Sequence, residues 1–75
     1  MLIKYVMFDE CLPVIFSAAL HHKEVAALRS EKPTGAGFVH FGSNEITVFG
    51  ESTSLGIGPG QSDEAIIRQM IGGRK

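Results

Sequence analysis

The sequence predicts a small α+β domain with four strands and two helices in the order ββαββα. Three observations lead to this class. There are two pairs of short strand-like segments, each pair precedes a segment with a helical pattern, and 75 residues with 44% hydrophobic content suffice for one small core. We therefore expect a mainly antiparallel four-stranded sheet with both helices on one face. Residues 1–72 would form this single domain, and residues 73–75 a flexible C-terminal tail.

The first strand is predicted over Leu2–Phe8, where both alternating faces are largely apolar. Such a strand is typically covered on both sides, or on one side by another molecule. Asp9-Glu10-Cys11 can form a turn, and Leu12–Ser17 is the second strand. A connection this short predicts an antiparallel hairpin. Pro13 has no N–H to donate, so it belongs at the start of its strand or on an edge.

A helix is predicted within Ala18–Arg29, which contains good helix formers and neither Gly nor Pro. Its start has two interpretations. Ser17 can cap a helix whose buried stripe includes Ala18, His21, Val25 and Leu28. Alternatively, the helix begins only near His22, and residues 18–21 form an irregular bridge. Residues 30–35 are predicted to be a loop.

The second hairpin is predicted from Ala36–Phe41 and Glu45–Phe49, with turn residues at Gly42-Ser43-Asn44. We expect the chain to stay extended through Gly50–Ile57, with Glu51, Thr53, Leu55 and Ile57 on one side and Ser52, Ser54 and Gly56 on the other. Gly50 would then be a bulge or a bend.

The final helix is predicted over Ser62–Ile71. Ser62 is a favourable N-cap residue, and the acidic side chains of Asp63 and Glu64 suit the first turn of a helix. Gly72 stands where a helix commonly ends. The helix would bury a narrow apolar stripe formed by Ile66, Ile67, Met70 and Ile71.

Composition argues against several classes of function. Seven Lys and Arg against eight Asp and Glu leave no basic excess, so nucleic acid is not an expected partner. No apolar stretch approaches the ~20 residues that span a bilayer, so no membrane association is expected. Cys11 is the only cysteine, which excludes an internal disulfide framework and favours a reducing, cytoplasmic location.

No motif in the chain specifies a metal, a cofactor or a catalytic reaction. His21, His22 and His40, even with Cys11, lack a chelating spacing, and His21 is the histidine expected to be half-buried, with His22 solvated. The Gly-rich segment before the last helix resembles an anion-binding loop. However, the two acidic residues that begin the helix would repel an anion. The sequence thus gives no indication of an enzyme.

Two hypotheses for function remain. The first is a non-enzymatic interaction module that self-associates, most simply as a two-fold dimer, and can also dock another protein. Its interface would be the second face of the first strand, with Ile3, Tyr5 and Met7. The second is a small-ligand binder or minor enzyme with a pocket at a subunit interface. The residues assigned to that pocket are His40, Glu51, Ser52 and Ser54.

Overall fold

The computed structural model describes residues 2–42 and 45–72. One four-stranded antiparallel sheet contains the strands in the order β2-β1-β3-β4. The predicted class and the order ββαββα are confirmed. The elements are β1 Leu2–Phe8, β2 Leu12–Phe16, α1 His22–Ala26, β3 Pro33–Phe41, β4 Ile46–Phe49 and α2 Asp63–Gly72. The predicted turn at residues 43–44 and the predicted tail at residues 73–75 lie outside the described residues.

Strand β1 lies at the centre of the molecule and is covered on both faces. Tyr5 and Met7 pack with Ile67 of α2 on one face. Val6 and Phe8 pack on the other face, in a cluster that includes Ala26 of α1. All four of these β1 side chains have no exposed surface. The apolar character of both faces of this strand is therefore explained within one chain.

The two helices lie on opposite faces of the sheet, so the expectation that both share one face is wrong. Successive side chains of a strand point to opposite faces, and α1 and α2 contact alternate residues of β1. The reason is that each apolar face of this central strand needs its own cover. One helix cannot protect both faces, and two helices on one face would leave Val6 and Phe8, or Tyr5 and Met7, in water.

Helix α1 is short and begins at His22, in agreement with the second interpretation of its start. The carboxylate of Glu24 accepts a hydrogen bond from the backbone N–H of His21 (2.9 Å), which fixes the first turn. Val25 is buried, whereas Leu28 is 83% exposed. The stripe predicted from Ala18 to Leu28 is therefore not formed, because residues 18–21 are irregular.

The two histidines have the reverse of their expected environments. His21 is exposed and His22 is buried. The ring of His22 lies edge-on between Phe16 and Phe38, and its Nε2 is 2.8 Å from the carbonyl oxygen of Gly37. Because the helix begins at His22, four residues after the Ala18 start that a Ser17 cap would give, His22 is the first helical side chain that faces the sheet.

The loop after β4 also differs from its prediction. Residues 50–57 do not stay extended, because Ser52 and Ile57 form an antiparallel bridge that folds the segment back on itself. The hydroxyl of Ser52 accepts a hydrogen bond from the N–H of Leu55 (3.1 Å) and closes the turn. Gly56 lies inside it with φ of 72°, a conformation that glycine adopts easily.

Helix α2 lies within one residue of its predicted range, but its start is organised by Asp63. Among the side-chain hydrogen bonds of residues 2–42 and 45–72, none involves the predicted cap, Ser62. Instead, Asp63 Oδ2 accepts hydrogen bonds from the Tyr5 hydroxyl (2.6 Å) and from the Gly60 N–H (2.7 Å). These contacts fasten the helix and the preceding loop to the centre of the sheet. A side chain at Gly35 would overlap Asp63 Oδ2, so this position requires glycine.

Candidate interaction surface

The four residues assigned to a ligand pocket do not line either of the two cavities described below. His40, Glu51 and Ser54 are exposed, whereas Ser52 is 1% exposed. Ser52 and Ser54 lie side by side with their oxygens 3.3 Å apart, and Ser54 also accepts a hydrogen bond from the N–H of Lys23 (3.2 Å). These hydrogen bonds stabilise the conformation of the loop after β4.

The interface residues proposed from the sequence lie beneath α2. Tyr5 and Met7 have no exposed surface, and Ile3 is partly buried against the same cluster. They cannot contact another subunit unless the helix moves away. This corrects the choice of surface, because the face that was expected to be open is occupied by α2.

A polar cavity of about 300 Å³ lies at the start of α2. Glu10 and Asp63 are among its lining residues, and the Asp63 carboxylate already binds Tyr5 and Gly60. In the described part of the chain, no buried side-chain nitrogen or oxygen lacks a hydrogen-bond partner. The two carboxylates would repel an anion. Among the described residues, this cavity therefore has no buried, unpartnered polar side chain that points to a ligand.

The Tyr5–Asp63 pair is a buried structural contact rather than an accessible acid–base pair. Burial raises the pKa of the Tyr5 hydroxyl far above its ordinary value of 10.0, and the hydrogen bond to Asp63 and the charge of Asp63 raise it further. The phenol therefore stays protonated in the folded protein and acts as a hydrogen-bond donor. Since Tyr5 has no exposed surface, no substrate can reach it.

A second cavity, of about 430 Å³, lies between β2 and α2. We call it the β2 groove. Its lining is mostly apolar and comes from Cys11, Leu12, Pro13, Val14, Arg29, Ile66, Gln69 and Met70. Val14 belongs to the cluster on the α1 face of the sheet, and Ile66 to the cluster on the α2 face. Because its lining includes residues from both faces, the groove follows the outer edge of β2.

Exposed apolar side chains border the β2 groove. Leu12 is 41% exposed, Met70 is 50% exposed, and Ile71 follows Met70 with 43%. Met70 and Ile71 belong to the apolar stripe of α2, of which only the first half, Ile66 and Ile67, packs in the core. The stripe thus extends past the surface that the sheet can cover.

One cation stands at the rim of the β2 groove. Arg29 forms an ion pair with Glu31 (2.9 Å), and the hydrogen bond from Arg29 lowers the pKa of the Glu31 carboxyl. The Arg29 guanidinium also lies 5.3 Å from the centre of the Phe8 ring. It is therefore held in place at the groove while part of its surface remains exposed.

The two edge strands of the sheet differ in whether side chains bond to their outward backbone groups. At β4, Glu64 Oε1 accepts a hydrogen bond from the N–H of Val48 (3.0 Å), and Arg68 Nη2 donates to the carbonyl oxygen of Ile46 (3.0 Å). Glu64 and Arg68 also form an ion pair (2.8 Å). At β2, no described side chain bonds to the outer backbone. Unpaired strand edges are sites where further strands can add.

Comparison with protein families, with curated proteins and with solved structures finds no match for this chain. Within the described residues, no three His, Cys, Asp or Glu side chains are grouped so that they could hold a metal ion. The same part of the chain contains no helix with the length and apolar character needed to cross a membrane. The β2 groove and its border are therefore the surface on which a proposal can be based.

Proposed function

We propose that this protein is a non-enzymatic interaction module that acts by self-association, and that the β2 groove with its apolar border is the contact surface. The observation that supports this most directly is the uncovered half of the α2 stripe, next to an exposed leucine on a free sheet edge. Burial of these side chains would stabilise an assembly by about 25 cal/mol for each Å² of apolar surface removed from water. The exposed thiol of Cys11 fits action in a reducing compartment, the cytoplasm.

The size of the protein supports an assembly. The folded chain has 4687 Å² of accessible surface. A core of this size provides only a few kcal/mol, and small domains commonly add a partner subunit. A stable interface removes about 800 Å² from each partner, roughly a sixth of this surface. The docking of a further protein on another surface is compatible with this proposal, but no described feature selects such a partner.

Sedimentation velocity over a range of micromolar concentrations tests the proposal. We expect a species of twice the 8.1 kDa chain mass, in reversible exchange with the monomer. Leu12→Lys should raise the dissociation constant at least about tenfold, because it places a charge in the apolar border. Phe49→Lys is the matched control, since Phe49 is 42% exposed but lies on the β4 edge. A monomer at every concentration, or equal effects of both substitutions, would contradict the proposal.

A further inference from the structure

The pairing of β1 with β2 and β3 determines which backbone groups of β2 point outward. Val6 of β1 pairs with Val14 on one side and with Ala36 of β3 on the other. The N–H of Ala36 donates to the carbonyl of Gly58 (3.1 Å), so it points away from β1. Val6 and Ala36 are therefore not a hydrogen-bonded pair, and Val6 directs its own backbone groups toward Val14.

Antiparallel ladders alternate between hydrogen-bonded and non-bonded pairs. Since Val14 faces β1, its neighbours Pro13 and Ile15 direct their backbone groups outward. Pro13 has no N–H and offers only a carbonyl. Ile15 therefore supplies the N–H donor on the outer side of β2, together with an acceptor. An added strand has to place its own acceptor opposite Ile15.

A second copy of the chain meets this requirement by two-fold symmetry. If two β2 strands pair antiparallel about Ile15, each Ile15 N–H faces the Ile15 carbonyl of the other copy. The same register sets Val14 beside the other copy's Phe16. Val14, Ile15 and Phe16 are all partly buried and packed against the two cores, so the new neighbours among these three residues are apolar. Cross-strand apolar pairs of this kind stabilise sheets.

A stable dimer needs more contact area than the pairing of two short strands provides. A five-residue strand is only about 17 Å long, so a strand pair alone buries too little. With a two-fold axis perpendicular to the sheet, both α2 helices lie on the same side of the joined sheet. The half-exposed Met70, which lines the β2 groove, and its exposed neighbour Ile71 can then add to the interface.

From these observations we infer that two copies join edge to edge through β2, with Ile15 opposite Ile15, into one continuous eight-stranded sheet. This inference rests on the proposed self-association and specifies its geometry. The bonds from Glu64 and Arg68 to the β4 edge favour a closed pair, because they occupy the Val48 N–H and the Ile46 carbonyl that a further strand would use.

Two measurements test the geometry separately from the association itself. In a mixture of isotope-labelled and unlabelled protein, intermolecular nuclear Overhauser effects should connect Val14 with Phe16 of the other copy. Ile15→Pro removes the outward N–H from each chain and leaves the inner ladder intact. It should raise the dimer dissociation constant about 30-fold, as expected for two lost hydrogen bonds. Ile15→Val retains the N–H and serves as the control.

The outcomes distinguish the two levels of the proposal. A dimer that shows the Val14–Phe16 contacts and responds only to Ile15→Pro supports the edge-to-edge sheet. A dimer whose intermolecular contacts lie elsewhere overturns the geometry and leaves self-association standing. A protein that stays monomeric at all concentrations overturns both. The contacts are measured on the unmodified chain, so a failure of Ile15→Pro to fold would not prevent the decision.

Discussion

Replacement of Tyr5 by Phe removes one hydroxyl from the centre of the fold and changes little else. In the wild type, this hydroxyl donates to Asp63 Oδ2 at 2.6 Å, and Asp63 is only 4% exposed. A hydrogen bond to a charged group contributes about 1.5–3 kcal/mol. The N–H of Gly60 continues to bind the carboxylate, so we expect a loss of about 2 kcal/mol in the free energy of unfolding.

Urea denaturation of the wild type and of Tyr5→Phe at neutral pH would measure this loss. For a domain of this size, about 2 kcal/mol corresponds to a fall of about 8–16 °C in the melting temperature. A cycle with Asp63→Asn shows whether the loss arises from this pair, because the two substitutions should then not be additive. A loss below about 0.5 kcal/mol would refute the view that Tyr5 holds the start of α2 in place.

The same contact predicts the alkaline behaviour of the protein. The pKa of Tyr5 is raised in the folded state, first by burial, then by the bond to Asp63 and its charge, whereas the unfolded chain releases this proton near pH 10. Stability should therefore be unaffected by Tyr5 below pH 10. Above it, stability should fall, with a slope approaching about 1.4 kcal/mol per pH unit.

Tyr5 is the only tyrosine, so the ultraviolet absorbance of the phenolate reports on this group alone. The phenolate signal should appear only as the chain unfolds, and Tyr5→Phe should lack the additional alkaline slope. A phenolate that forms near pH 10 in folded protein would show that the hydroxyl is accessible.

Three further predictions concern the β1–β2 turn, the β4 edge and metal dependence. Glu10 has a φ of 62° in the left-handed region, so Glu10→Gly should be stabilising by a few tenths to about 1 kcal/mol in urea denaturation, and Glu10→Val should be destabilising. Glu64→Ala frees the N–H of Val48 and should produce species larger than a dimer in sedimentation, whereas the exposed Glu51→Ala should not. Melting temperatures with and without EDTA should agree within a few degrees, since no described cluster could hold a metal ion; a larger fall would reveal an unrecognised site.

The strands and α2 could be predicted from local patterns, because their residues carry strong signals. Leu2–Phe8 is apolar on both faces and matches β1 in extent, and Pro13 indicated the edge position that β2 occupies. The placement of the helices could not be predicted in this way. The amphipathic pattern of α1 or α2 shows that one side is buried but not against which face of β1 it packs.

The proposed contact surface depends on the tertiary arrangement and therefore could not be predicted from the sequence. The sequence pattern predicts that Tyr5 is an apolar residue on an open face of the sheet. In the structure, its hydroxyl donates a hydrogen bond to the carboxylate of Asp63, 58 positions later in the chain. From the sequence, Asp63 is expected only to interact favourably with the helix dipole, and Ser62 is expected to be the N-cap. The signal that could have indicated this surface was the length of the α2 stripe, since Met70 and Ile71 continue it about one turn past Ile66 and Ile67.

The central position of β1 has a consequence for how the chain folds. β1 pairs with β2 across a tight turn, but its other neighbour, β3, is far along the chain, as the pairing of Val6 with Ala36 shows. Closing such a long loop costs entropy before any contact is gained. During synthesis β1 emerges from the ribosome well before β3. Until β3 and both helices follow, the first hairpin exposes two apolar faces, and this is the interval in which the nascent chain most needs protection by a chaperone.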